Sequence, residues 1–406
     1  MVLPLLWGLL AGCALVLSWA TALASFAWVG YVMLTALALG VAAARLGERG
    51  LVAERRLSAD RIALAGRVEV EVTVENRSRL PVLWVSAAET LPAGLPMTGV
   101  RGRVGPLAGR GKFRFRYTLE GARRGYYQIG PTLLRTGDLF GLSTRERVRE
   151  SASLTVFPKI VAVTHARLPS RRSVGDVRAR YRVLEDPVRV IGIRPHQHSD
   201  GLRRVHWRAT AHTGKLQSKL YDVSAQMETV LALNLRRSDY PASPEEAAET
   251  AELAIVVAAS LAHHVLERRQ RVGLVAVARD QAAGAALPSP AQQLFRQAAS
   301  RNREQLAAIL SALGRMALGP TEDLAGVLNQ DKESLAWGSL VVVITPGVGE
   351  ELLRALLSMR QSGFDVEVVL VGRTPTVSAG PSFGEHAMGI SSTRVRSEAD
   401  IRGLGL

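Results

Sequence analysis

The sequence predicts a multi-domain protein: an N-terminal transmembrane helical hairpin, then an antiparallel β-sandwich domain, then an α/β domain with a mostly parallel, Rossmann-like sheet. Three observations predict it. The first 44 residues carry no charged side chain, a strict period-two alternation follows near residue 70, and beyond residue 225 short apolar runs alternate with helical patterns.

At 406 residues, the chain beyond the apolar leader is long enough for two soluble domains of common size. Hydrophobic residues make up 47% and charged ones 21%, a globular composition in which each domain can bury its own core. The single cysteine, Cys13, lies inside the leader, so neither an intramolecular disulfide nor a cysteine-based zinc site can form. The net charge of +15 would suit nucleic acid if it were clustered. Instead the basic residues are spread along the whole soluble part, and the reading is of no nucleic-acid partner.

One crossing takes about 20 apolar residues at a rise of about 1.5 Å each, so the uncharged run is twice what one span needs. Residues 1–45 are therefore read as two transmembrane helices, at about 3–20 and 27–44, turning within 21–26, with Trp19, Trp28 and Tyr31 at one interface and Trp7 at the other. Gly8 and Gly12 have a GxxxG spacing that lets helix backbones approach. A cleaved signal peptide is the rival reading, from the small-residue run Ala22-Leu23-Ala24, but a basic leading region is missing. In both readings Arg45, Arg49, Arg55 and Arg56 hold the body on the cytoplasmic side of the inner (cytoplasmic) membrane.

Residues 58–162 are read as the β-sandwich. Val68, Val70, Val72 and Val74 alternate with Glu69, Glu71, Thr73 and Glu75, the signature of a strand with one buried face. Further strands are read at 82–88, 112–119, 125–129 and 153–157, with 102–111 as a Gly- and Pro-bearing connection. Residues 225–406 form the α/β domain. Strands are read at 229–235, 271–278, 339–345 and 365–371, and helices at 244–270, 301–313 and 350–362, an order that yields a parallel sheet covered on both faces. Ligands of such sheets sit at the carboxyl ends of the strands, here the loops after Leu235, Ala278 and Thr345.

Residues 163–224 join the two domains and contain the most distinctive stretch, 185–222, dense in Arg, His and Trp. Its Arg194, Asp200, Arg203 or Arg204, Trp207, Arg208, Thr210, Ala211, Gly214 and Leu216 resemble the signature of the bacterial family called domain of unknown function 58. Arg124-Gly125-Tyr126 and Gly137-Asp138-Leu139-Phe140-Gly141-Leu142 look like it too. The chain departs from the signature at His196, Ser199 and His212. The resemblance implies a C-terminal half similar to von Willebrand factor A domains, no established activity, and a MoxR-type AAA+ ATPase and its client proteins as partners. Arg194, Asp200, Arg203, Arg204, Trp207, Arg208, Thr210 and Lys215 are the partner-binding candidates, although a Trp amid Arg and His is expected first to anchor the segment onto its neighbouring domain.

A working von Willebrand A site holds Mg²⁺ through Asp-x-Ser-x-Ser after the first strand, with a Thr and an Asp from later loops, because a hard cation needs oxygen ligands. Here the run is Asn234-Leu235-Arg236-Arg237-Ser238, so the site is degenerate at Asn234 and Arg236, with Ser238 and Thr321 remaining. The expectation is no metal and no cofactor, unless Asp239 compensates; an Arg-lined crevice would instead accept an acidic side chain from a partner.

His196, His198 and Asp200 make an H-x-H-x-D run without a remote third ligand, and His263 and His264 point about 100° apart on a helix. Thr213-Gly214-Lys215-Leu216 lacks the upstream glycine and the Ser or Thr after Lys of a P-loop, and there is neither a GxSxG elbow nor a cysteine nucleophile outside the leader. The chain is thus read as a non-catalytic adaptor or assembly factor, not an enzyme. A metal-dependent ligand-binding protein and an enzyme of unrecognised type are the alternatives.

Overall fold

The computed structural model describes residues 2–21, 23–138, 144–149, 151–164, 190–197, 200–221, 228–283, 293–336, 338–373, 386–387 and 390–404. Ala22, Leu139 to Leu142, residues 185–189, His198, Ser199 and Asp222, all singled out above, lie outside the described residues. The chain falls into two units, residues 1–159 with 310–315, and residues 160–309 with 316–406.

The first unit opens with α1 (Val2–Thr21) and α2 (Ala24–Gly50). Only residues 22–23 separate them, a tighter connection than the expected 21–26, and α2 runs past the expected 27–44 at both ends. The Trp7 indole donates to the Met33 carbonyl at 3.1 Å, and a Cβ added at Gly30 would sit 2.7 Å from Leu15 Cγ, so the helices touch closely there. Gly8 and Gly12 meet nothing within 4 Å, so the GxxxG spacing is not what brings these two helices together. Leu5, Leu9, Val16, Trp19, Trp28 and Tyr31 all face outward. An apolar outer face of this length suits lipid and marks the end of the chain as membrane-associated. By contrast Pro244–Glu267, also long and apolar enough to span, is mostly buried and is a core helix.

α2 passes into β1 (Leu51–Leu57) with no residue between them. There follow β2 (Arg61–Ile62), β3 (Arg67–Asn76), β4 (Val82–Glu89), β5 (Met97–Gly99), β6 (Gly102–Leu107), β7 (Lys112–Glu120), β8 (Gly125–Ile129), β9 (Thr132–Gly137), β10 (Thr144–Arg149) and β11 (Ala152–Val156). They form sheets of order β1-β3-β7-β5, β10-β9-β4-β6 and β2-β11-β8. Val68, Val70, Val72 and Val74 of β3 are fully buried and share one core with Val85, Leu119 and Leu134, as the alternation predicted. β6 occupies part of the stretch read as a connection. Its Pro106 is tolerated because β6 is an edge strand, whose outer side needs no donor.

A buried polar pin joins the two four-stranded sheets. Glu89 on β4, with its side chain 0% exposed, accepts from Arg55 on β1 through Nε at 3.1 Å and a terminal nitrogen at 2.8 Å. Tyr117 on β7 donates its hydroxyl to the same oxygen at 3.3 Å, and Thr132 on β9 donates to the other. Burial, and then the Glu89 charge, push the Tyr117 phenol well above its ordinary range and keep it a donor.

In the second unit, β12 (Val190–Pro195), α3 (Trp207–Thr213) and β13 (Gln217–Tyr221) precede β14 (Glu228–Asn234), α4 (Pro244–Glu267) and β15 (Arg271–Val277). Next come β16 (Arg279–Asp280), β17 (Leu294–Ser300), α5 (Arg303–Arg315), β18 (Met316–Ala317), α6 (Leu324–Asp331), β19 (Leu340–Thr345), α7 (Glu350–Gln361), β20 (Asp365–Val371), β21 (His386–Ala387), β22 (Ile390–Val395) and α8 (Glu398–Arg402). The large sheet has the order β17-β15-β14-β19-β20-β22-β21, with β15, β14, β19, β20 and β22 parallel and β17 and β21 antiparallel. β19 is buried at every position, as expected of a strand covered on both faces. The chain leaves β14 for β15 on one side and β19 for β20 on the other, so the topological switch point lies between β14 and β19.

Removing one partner of the Glu89 pin strands a buried guanidinium. Glu89→Ala is expected to destabilise the protein by about 3–5 kcal/mol, read as a lowered urea midpoint in detergent, with Glu89→Gln retaining part of the loss.

Candidate functional site

At the switch point the carboxyl ends of β14 and β19 bring Asn234 and Thr345 together, both buried. The Asn234 carbonyl oxygen accepts the Arg236 backbone N–H at 3.0 Å, which fixes the amide orientation. Its NH₂ therefore points into the crevice and donates to Asp239 Oδ2 at 2.8 Å and Thr345 Oγ1 at 3.3 Å. Thr345 passes its own proton to the Gly347 carbonyl at 2.8 Å, leaving its oxygen as the acceptor. Ser238 Oγ donates to the other Asp239 oxygen at 2.9 Å. Below them the buried Tyr240 hydroxyl donates to the Asn234 main-chain carbonyl at 2.6 Å, and burial raises its phenol above the usual range.

Two arginines follow, with different duties. Arg237 donates to the carbonyls of Pro241 at 2.7 Å and Ala242 at 2.9 Å and so braces the loop. Arg236, half exposed, faces Asp323 at 3.5 Å, and its backbone is bridged to Gly319. Of the predicted positions, Asn234 and Arg236 line this crevice, Ser238 reaches it through Asp239, and Thr321 turns its hydroxyl toward the Glu322 carbonyl at 3.3 Å. Asp323 escaped the sequence reading. Its signal was its place immediately before α6, a position that favours Asp, although its side chain makes no capping bond there.

A hard cation needs oxygen ligands, and here the Asp239 and Asp323 carboxylates are already engaged by the Asn234 amide and the Arg236 guanidinium.

The second candidate region is residues 190–221. β12 and β13 pair antiparallel, with Arg194 opposite Ser218, and carry α3 between them. Several signature residues hold this unit together. Arg194 pairs with Asp200 at 2.6 Å, Asp200 accepts the Gln197 N–H at 3.0 Å, and the Thr210 hydroxyl accepts the Gln217 N–H at 3.0 Å. Gly214 ends α3 at φ 67°, a left-handed position that favours glycine. His196 is engaged with Ser218 Oγ at 2.8 Å, and His206 Nδ1 caps α3 by accepting the Ala209 N–H at 3.1 Å. His196 and Asp200 thus have other partners than each other.

The remaining signature residues point outward. Trp207 is 67% exposed and Leu202 72%, beside exposed Arg203, Arg208 and Lys215, while Arg204 is half-buried. This corrects the expectation that Trp207 anchors the segment, because its indole lies against solvent. Among the two helical histidines, His263 faces Glu267 at 3.6 Å, whereas His264 is buried, and desolvation lowers its pKa.

Residues 192–371 match the family model described as Protein of unknown function DUF58, the family whose signature the segment 194–216 resembles. Among curated proteins none matches. Solved structures it is similar to include an aerotolerance-related membrane protein from Bacteroides fragilis, at 16% identity and TM-score 0.28, over 44% of this chain and 95% of that one. A CARDB domain from Pyrococcus furiosus, in complex with di-metal ions, aligns at 16% identity and TM-score 0.19 over 26% of this chain and 86% of that one. The cupredoxin domain of amoB from Nitrosocaldus yellowstonii aligns at 14% and 0.20, over 27% and 89%. Likenesses this distant carry no inference about activity.

The Gln197 N–H, then the Arg194 guanidinium, hold Asp200 down at about 2 from its ordinary 3.8. Because the folded value is the lower one, the contribution to stability is full above about pH 4 and is lost as the pH falls toward 2. Asp200→Asn is expected to lower the urea midpoint at neutral pH and to remove that acid-dependent step.

Proposed function

We propose that this chain is a membrane-anchored, non-catalytic adaptor or assembly factor that works with a MoxR-type AAA+ ATPase and its clients, with its soluble domains facing the cytoplasm. One observation carries the reading: the signature segment divides into residues that build the β12–α3–β13 unit and residues, Leu202, Arg203, Trp207, Arg208 and Lys215, whose apolar and basic side chains are exposed to solvent. Exposing Trp and Leu costs free energy, and such a patch rimmed by cations suits a partner with an apolar pocket and acidic flanks. Arg194, Asp200 and Thr210 then act by positioning that face. Arg204, half-buried, stands at its edge.

The α/β domain is read as von Willebrand factor A-like, its switch-point crevice converted from cation binding to carboxylate binding by Asn234 and Arg236. Orientation rests on Arg45 and Arg49 directly after the uncharged run, since such flanks are retained on the cytoplasmic side. The rival, metal-dependent reading draws on the Asp239 carboxylate 2.8 Å from Asn234. Titration calorimetry of the detergent-solubilised chain with Mg²⁺ and Mn²⁺ separates them, since stoichiometric heat would favour the rival.

Trp207→Ala is expected to weaken partner recovery in co-purification from detergent extracts by about 2 kcal/mol, roughly 30-fold. Arg203→Glu with Arg208→Glu is expected to abolish it. Unchanged recovery by both variants would contradict the assigned surface.

A further inference from the structure

We infer that one end of the β domain is seated in the headgroup–acyl boundary of the bilayer that α1 and α2 enter, so that the domain rests on the membrane rather than hanging from it. The inference rests on the reading of α1 and α2 as membrane-inserted.

The argument begins with depth along α2. Its charge-free stretch ends at Ala44, and Arg45 is the first charge. From Ala24 to Ala44 the helix rises about 30 Å, which matches the hydrocarbon core with nothing to spare. Gly40 lies five residues, about 7.5 Å, to the lipid side of Arg45.

The β domain nevertheless packs against that level. A Cβ added at Gly40 would sit 3.2 Å from Asp138 Cβ, and one added at Gly47 would sit 3.5 Å from Val82 and 3.7 Å from Thr136. Going from Thr136 to Asp138 at the end of β9 therefore means going down α2 from Gly47 to Gly40, toward the bilayer. A side chain at Gly40 would push this contact apart. The Gly50–Leu51 junction leaves no spacer that could lift the domain away.

What else lies at this end follows from register. β4 pairs antiparallel with β9, Val85 opposite Thr136, so the start of β4 shares the end of the domain with Asp138. That start carries Val82, buried, and Leu83, 45% exposed, while Leu80 lies higher, its carbonyl accepting from Asn76 beside the Gly50 end of α2. Trp84 beside Leu83 donates its indole N–H to the Asp138 carbonyl at 3.0 Å, a half-buried Trp at the depth where amphipathic rings collect. The Asp138 side chain is shielded, only 3% of the residue being exposed. The cations form a collar one level up. Arg45 and Arg49 are exposed on α2, and on β10, Arg147 reaches the Glu48 carbonyl at 3.5 Å and its carboxylate at 3.9 Å. Leu83 and Trp84 at the Asp138 level, with the guanidinium groups of Arg45, Arg49 and Arg147 above, match the acyl and anionic headgroup layers in order. The occupant of this surface is therefore lipid of the same membrane.

Spin labels on the full chain in vesicles of phosphatidylcholine and phosphatidylglycerol test this. In a Cys13→Ser background, single cysteines replace Leu39 on α2, Leu83, and Val100 at the opposite end of the domain. All three positions are exposed, so folding should be unaffected. The label at Leu39 is expected to be relaxed more by oxygen than by a water-soluble nickel chelate, Leu83 likewise, and Val100 in the reverse sense. If Leu83 behaves as Val100 does while Leu39 stays oxygen-favoured, the seating is wrong and insertion stands. If Leu39 also reports water, the membrane reading itself fails and the seating falls with it.

Discussion

α2 answers to two environments along one helix. Over its first part Trp28, Tyr31 and Leu39 turn outward and are exposed, an apolar face suited to lipid, while Gly40, Ala44 and Gly47 turn a small-residue face onto the β domain. The contact is possible only because those positions lack bulk: Asp138, Val82 and Thr136 fill the space that larger side chains would take. Since the helix continues into β1 without a break, the position of the first soluble domain is set by the helix and not by a tether. The buried Arg55–Glu89 pin then carries that rigidity across both sheets, because β1, the strand leaving α2, supplies one partner and β4 the other.

The sequence revealed elements wherever one physical pattern dominated. β3 was legible because one face is buried and the other is charged, and β14 and β19 because a strand covered on both sides is apolar throughout. The edges were harder to read. β6, with two glycines and Pro106, and β10, with arginine at every second position, lack a buried face of their own and draw their pairing from β4 and β9. The GxxxG spacing of Gly8 and Gly12 was legible but misdirected, since the close approach is made by Gly30.

The candidate sites were partly legible for related reasons. Asn234 and Arg236 stood out by their chemistry at a known place in a parallel sheet. Their partner Asp323 lies 87 residues further along and is brought near only by the fold. In residues 190–221 composition flagged the segment, but the division of labour within it came from geometry: an Arg194–Asp200 pair six residues apart reads in sequence as two more charges, and Trp207 reads as an anchor onto the neighbouring domain. Exposure reverses that second reading, and the account of function depends on it.

The most direct test replaces Trp207 with a photoreactive benzoylphenylalanine in living cells and identifies what it captures on illumination, with the same residue at Arg354 on α7, 72% exposed, as the control. The account predicts an AAA+ ATPase attached through position 207 and not through 354. Equal adducts from both positions, or none from 207 in cells that contain the ATPase, would contradict it.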